Sequence, residues 1–359
     1  MKNTLFKICD INFNSEDLLD EDKEEIKFNQ EELLGHIIYN RVAGIAYNNL
    51  LRIEDKIVSK DIMLCLQNQY KYDIERTKRY LESLKNLSKI FEEVDFKYAF
   101  LKGAYLIPQK YEIGYRTSND YDILVKSTDL DRIDNLLRKN GFIQGYFVGE
   151  NKVENASRYD ILRSRMNYGE VYPYVKIDNG NKVCVDVNFS LDYKPNEEGK
   201  IIDEFLNKAV YVNDNDLNYK VLNLCDCIIY LCFHLYKEAT VYNWVEARRD
   251  LLLYKFSDLN LILTSMLDTS LMENLISQIN ILGANKECYY SIKNTTHFFG
   301  KLAENSFVKN ILDSICPKNL KFMNEIYNPQ NGKTYIYDED IINWFYRKNK
   351  ISCLHEIEV

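Results

Sequence analysis

Residues 100–125 read FLKGAYLIPQKYEIGYRTSNDYDILV, and the last six of them decide the fold. Tyr121, Ile123 and Val125 alternate with Asp120 and Asp122. A period of two predicts a strand over 121–125, with the apolar side chains facing one way and both carboxylates the other. Like charges on one strand face repel and weaken it. The pattern therefore implies a positive partner between the two acids. Upstream, FKYAFL (96–101) reads as a short aromatic strand that stops at Lys102-Gly103, with a short helix after it limited by Pro108.

Working outward, STDLDRIDNLLRKNG (127–141) predicts a helix. Ser127 or Thr128 caps it, Leu130, Ile133, Leu136 and Leu137 bury it, and Gly141 ends it. KVCVDVNF (182–189) is a third strand, in which Val183, Val185 and Val187 alternate with Cys184, Asp186 and Asn188. Residues 30–94 read as helices. Leu34, Ile38, Val42, Ile45 and Ala46 form one apolar face, and Ile74, Leu81, Leu84, Leu87 and Phe91 form a second. From about residue 200 the chain returns to helix. The expected class is α+β: a small mixed sheet flanked by helices at 96–195, between a helical N-terminal region (1–95) and a helical C-terminal domain (196–359).

With 359 residues the chain has ample material for a buried core, and 46% hydrophobic against 28% charged residues is the balance of a folded protein. A net charge of -8 disfavours a generic nucleic-acid binder. Abundant Lys, Asn, Ile and Tyr fit an AT-rich bacterial genome. The nine cysteines form no disulfide framework. Cys225, Cys227, Cys232 and His234 lie in LNLCDCIIYLCFHLY, which reads as a buried helix, and no CxxC knuckle is present, so no structural metal is expected. Free buried thiols and the lack of an apolar leader or membrane-length stretch predict a cytoplasmic protein without a membrane partner.

Two carboxylates on one strand and a third, Asp186, on another form a donor set for a hard divalent cation, which takes oxygen ligands and shares them with phosphates. A glycine after a strand lets the backbone approach a triphosphate, and N–H groups at a helix start favour anions. An Asp-x-Asp by itself is more often a turn or a solvated strand end, and Lys-Gly is usually just a turn. An EF-hand fails, because Leu124 and Val125 stand where a ligand and a glycine are required. The order carries the signal: strand, Lys-Gly, Asp-x-Asp strand, acid on a later strand.

Leu101, Lys102, Gly103, Tyr111, Arg116, Asp120, Asp122, Leu124, Val125, Gly141 and Phe142 together resemble the bacterial nucleotidyltransferase family 5, within the DNA polymerase β-like superfamily. The resemblance spans roughly 30–260 and is strongest at 98–142; HIIYNRVAGIAYNNL is similar to the family's N-terminal helix. It implies a polymerase β-like core that moves NMP from an NTP, most readily ATP, onto a hydroxyl, with Mg²⁺ or Mn²⁺. By the same resemblance Asp120 and Asp122 bind both metals and Asp186 completes the one that activates the acceptor. Gly103 cradles the triphosphate, and Lys102, Arg116 and Ser118 reach phosphate oxygens.

Two positions depart from the pattern. Ala104 removes a hydroxyl that the wider superfamily uses, and Asn188 replaces the family's usual His. YKFSDLNLIL is similar to a Lys-x-x-Asp helix of related toxins, which would place Lys255 on a phosphate with Asp258 orienting it, although a solvated pair fits equally. Arg248 and Arg249 read either as a basic acceptor rim or as surface charge. The acceptor is left open among a small molecule, a sugar, a protein or a tRNA. A nucleotide-binding regulatory module on the same fold and an Asp-x-Asp nucleotide-sugar glycosyltransferase are the alternatives.

Overall fold

The computed structural model describes residues 3–55, 57–167, 169–191, 199–214, 217–266 and 268–357. They form two compact units, one of residues 74–230 and the other of 1–73 with 231–359. The boundary expected at 95/96 falls inside the first of these, and the one expected at 195/196 lies outside the described residues.

The 74–230 unit is built on one eight-stranded sheet, larger than the small core expected from sequence. Its strands are β1 (Tyr98–Phe100), β2 (Tyr121–Val125), β3 (Ile143–Val148), β4 (Lys152–Asn155), β5 (Tyr174–Asp178), β6 (Asn181–Asn188), β7 (Val210–Asp214) and β8 (Leu217–Val221). They run in the order β4-β3-β5-β6-β2-β1-β8-β7. β2 pairs parallel with β6 and β1 parallel with β8, while the other pairings are antiparallel.

The register of β2 on β6 aligns Tyr121 with Val185, Asp122 with Asp186, Ile123 with Val187 and Leu124 with Asn188. Because side chains alternate, Tyr121, Ile123, Val125, Val183, Val185 and Val187 all enter one core. Tyr80, Leu84 and Leu87, from the second half of the helix Lys60–Ile90, and Phe91 just past its end close over that face, joined by Ile133 and Leu137 of the helix Leu130–Lys139. Tyr80 stacks on Tyr121 with ring centroids 4.4 Å apart. The acids are left on the opposite face.

Three readings change. The helix over 130–139 is preceded by a 3₁₀ turn, Ser127–Asp129, so its N-cap is Asp129 rather than Ser127 or Thr128. The expected continuous face at 34–46 is broken: helices Gln30–Tyr39 and Ala43–Leu51 meet at Arg41, whose φ is +57°. Within the first helix Leu33 and Ile37 are buried while Ile38 is exposed, and beyond the break Ile45 and Ala46 are buried on the second. The return to helix after 200 is interrupted by β7 and β8, and later by a three-stranded sheet of β9 (Glu325–Asn328), β10 (Lys333–Ile336) and β11 (His355–Ile357). The 231–359 segment is otherwise helical, and Cys225, Cys227 and Cys232 are buried on the helix Leu224–Thr240 as expected.

Ile123 is fully buried in the central strand. Ile123→Ala is expected to cost about 2–5 kcal/mol through lost burial and an unfilled cavity, read from the urea midpoint of the purified protein. A loss below about 0.5 kcal/mol would show that this strand is not the centre of the core.

Candidate active site

The site starts where β1 ends. The Leu101 N–H donates to the Asp122 carbonyl at 2.9 Å, carrying the strand ladder one residue past β1, and the Ala104 N–H then closes a tight turn onto the Leu101 carbonyl at 3.1 Å. Lys102 takes the first central position of that turn with φ +45° and ψ -117°, a conformation that glycine ordinarily supplies. The helix Gly103–Lys110 begins directly after it.

From this turn the Lys102 Nζ reaches the Asp122 Oδ1 at 2.7 Å, with side chains only 16% and 6% exposed. The sequence pattern assigned the positive charge between the acids to a metal and Lys102 to phosphate, whereas in the fold the Lys102 ammonium meets Asp122. Asn188 Nδ2 approaches the same carboxylate oxygen at 3.4 Å and the Asp186 carbonyl at 3.3 Å. Asp120 is engaged differently: its Oδ1 accepts from Ser118 Oγ at 2.9 Å, and its carbonyl accepts from Tyr80 Oη at 3.3 Å. Gly103 is needed for close approach, since a Cβ there would sit 3.0 Å from the Ser118 Cβ.

Asp186 stands beside Asp122 by register, on neighbouring strands that are about 4.8 Å apart in such sheets. Burial raises the pKa of the Asp122 carboxyl; the Lys102 charge opposes this, and Asp120 and Glu170 add to it. Asp186 is pushed well above the usual carboxylate range, first by burial and then by Asp122, Asp120 and Glu170. The Cys184 Sγ donates to Asp186 Oδ1 at 3.7 Å, and its thiol is pushed up by burial and then by Asp186, Asp120 and Asp122.

Asp120, Asp122, Asp186, Lys102, Gly103 and Ser118 are thus brought to one end of one sheet face. Arg116 is buried in the approaching loop, and its guanidinium donates to the Thr117 carbonyl. Lys255 lies in the other unit, buried, paired with Glu238 and donating to the Arg249 carbonyl at 2.8 Å. Asp258 is buried with it on the helix Leu253–Thr264, so the pair is not a solvated one. Asn188 and Glu170 join the site without having been assigned to it from sequence. Glu170 forms an isolated bridge with Asn188, outside any regular strand, and no alternation announced it.

The residue types fit a hard cation: three carboxylates, with amide and hydroxyl groups fixing them. Among the described residues, however, no group of three or more His, Cys, Asp or Glu side chains is arranged to hold a metal ion as it stands. Lys102 and Ser118 already take oxygens of Asp122 and Asp120.

A profile described as uncharacterised nucleotidyltransferase matches residues 27–300, most of the chain. The protein belongs to that nucleotidyltransferase family, and nucleotidyl transfer is the general activity that membership supports. No curated protein matches it. Among the described residues no helix is long and apolar enough to cross a membrane.

The raised carboxyl groups have a stability consequence. A carboxyl whose folded pKa is raised stabilises the fold at low pH, and that contribution is lost as pH rises through the raised value. At pH 8 and in EDTA, Asp186→Asn is therefore expected to raise the melting temperature, by an amount equivalent to about 1 kcal/mol. The gain should shrink as the pH falls toward the ordinary carboxylate value of about 3.9. Scanning calorimetry at several pH values checks this, and a lower melting temperature for the variant at pH 8 contradicts it.

Proposed function

We propose that the protein moves an NMP group from an NTP, with ATP the first candidate, onto an acceptor hydroxyl and releases pyrophosphate. The observation that carries this reading is the register of Asp122 on Asp186, on one sheet face beside the Lys102-Gly103 turn that opens a helix. Asp120, Asp122 and Asp186 would hold Mg²⁺ or Mn²⁺, and when bound the metal neutralises charge that builds on the reacting phosphate.

The chain's own groups do the rest by position and charge. At the start of the helix Gly103–Lys110 the Ala104 and Tyr105 N–H groups already donate to the Leu101 and Lys102 carbonyls, so the attraction for an anion there comes from the helix dipole, and Gly103 keeps that approach free of a side chain. Lys102 supplies a flexible point charge for phosphate oxygens. Ser118 and Asn188 fix the orientations of Asp120 and Asp122, so that less reorganisation is needed when charge develops. Asp186, beside Asp122 on the neighbouring strand, would complete the metal site on the side of the acceptor hydroxyl.

Calorimetry with ATP, GTP, CTP and UTP, each with and without Mg²⁺, tests the reading. Binding of at least one nucleotide is expected to depend on Mg²⁺ and to weaken in Asp122→Asn. Asp120→Asn and Asp122→Asn are each expected to lower pyrophosphate release by at least about a hundredfold, the usual scale for lost charge stabilisation. No binding by any of the four nucleotides would overturn the reading, and a fully active Asp122→Asn would remove that residue from it.

A further inference from the structure

The Lys102–Asp122 contact raises a question that phosphate binding alone does not answer. If the ammonium exists only to meet a triphosphate, its pairing with a carboxylate in the protein's own fold has no purpose. We propose that Lys102 is a resident counter-ion that holds Asp122 against a divalent cation arriving alone, and yields it when a triphosphate draws the ammonium away. This inference rests on the nucleotidyltransferase reading and adds a rule of order to it: metal and nucleotide enter together.

Three observations support it. The ammonium and carboxylate lie 2.7 Å apart and are largely buried, so the pair is a fixed part of the site rather than a surface contact. The Lys102 backbone sits at φ +45°, where a non-glycine residue carries strain. A glycine would make the same turn without that strain, so what the lysine adds is its charge. Finally, Asp122 stands opposite Asp186 in the register, and Asp120 and Glu170 add negative charge around both. Breaking the ion pair leaves buried negative charge uncompensated, which is costly unless another cation replaces it.

Exchange at Asp122 has two halves. A cation entering by itself must displace the ammonium from Asp122 and brings no anion to meet it. A cation arriving with a triphosphate brings an anion for the ammonium, at the start of the helix that follows the same turn. Lysine suits this because its charge rides on a flexible four-carbon stem. By linkage, nucleotide must then raise metal affinity by the same factor as metal raises nucleotide affinity.

The test measures Mn²⁺ alone, by the electron paramagnetic resonance of free ion, and the preformed complex of Mn²⁺ with α,β-methylene-ATP, by calorimetry. Wild type is compared with Lys102→Met, Lys102→Gly, Lys102→Arg and Asp122→Asn. Lys102→Met and Lys102→Gly are expected to bind Mn²⁺ alone at least about tenfold more tightly than wild type and the complex about tenfold more weakly, within the usual range of coupling between two ligands. Lys102→Arg should keep the wild-type resistance to Mn²⁺ alone. The Met variant keeps side-chain bulk on the strained backbone and the Gly variant relaxes it, so a folding defect in the first leaves the second to decide. If Mn²⁺ alone binds both no more tightly than wild type, while Asp122→Asn loses binding, the counter-ion role falls and the nucleotidyltransferase reading stands. If wild type binds neither Mn²⁺ nor the complex, both fall.

Discussion

One register holds this protein's core and its candidate site together. Asp122 opposite Asp186 and Ile123 opposite Val187 are the same fact seen from two faces of the sheet. A slip of one residue between β2 and β6 would turn the acids into the packing against the helix Lys60–Ile90 and the valines toward solvent. Burial of the apolar set therefore fixes the acids on the other side, and the site inherits its precision from the core. The aromatic contacts extend this coupling, because Tyr80 stacks on Tyr121 and also donates to the Asp120 carbonyl.

Much of this was legible in sequence, for physical reasons that differ between elements. YDILV and KVCVDVN show strict alternation, and both strands form where that alternation predicts. The long helix from residue 60 shows a 3.6 period across many turns, which averages out local noise. The strands β3 to β5, β7 and β8 were missed. β8 does alternate, with Leu217, Tyr219 and Val221 buried, and is as long as β2, but with β7 it lies between the helices Gly199–Asn207 and Leu224–Thr240, whose pattern covered it. The break at Arg41 was hidden because neither proline nor glycine marks it; an ordinary residue takes the positive φ.

The site shows the same division. Asp120, Asp122 and Asp186 announced themselves because charge on an apolar strand is conspicuous. Asn188 stood out in sequence only as a departure from a family pattern, whereas in the fold its amide approaches the very oxygen that Lys102 holds. Glu170 gave no signal at all. Its influence is electrostatic and comes from a bridge rather than a strand, and a field acting across space has no period. Lys255 shows the converse error of linear reading: a lysine on a polar-looking helix is buried over the Trp244 ring at 5.8 Å and beside Glu238.

Cys184 bears on which ions such a face would accept. It lies two residues before Asp186 on β6, on the same face, with its sulfur 3.7 Å from the Asp186 carboxylate. A thiolate there would attract zinc or copper, soft ions that compete strongly wherever sulfur is available. Burial and the surrounding acids keep the thiol protonated, and a protonated thiol is a poor ligand and a poor nucleophile. The negative charge that the acids set on this face thus also adds to burial in holding the neighbouring thiol in its protonated form.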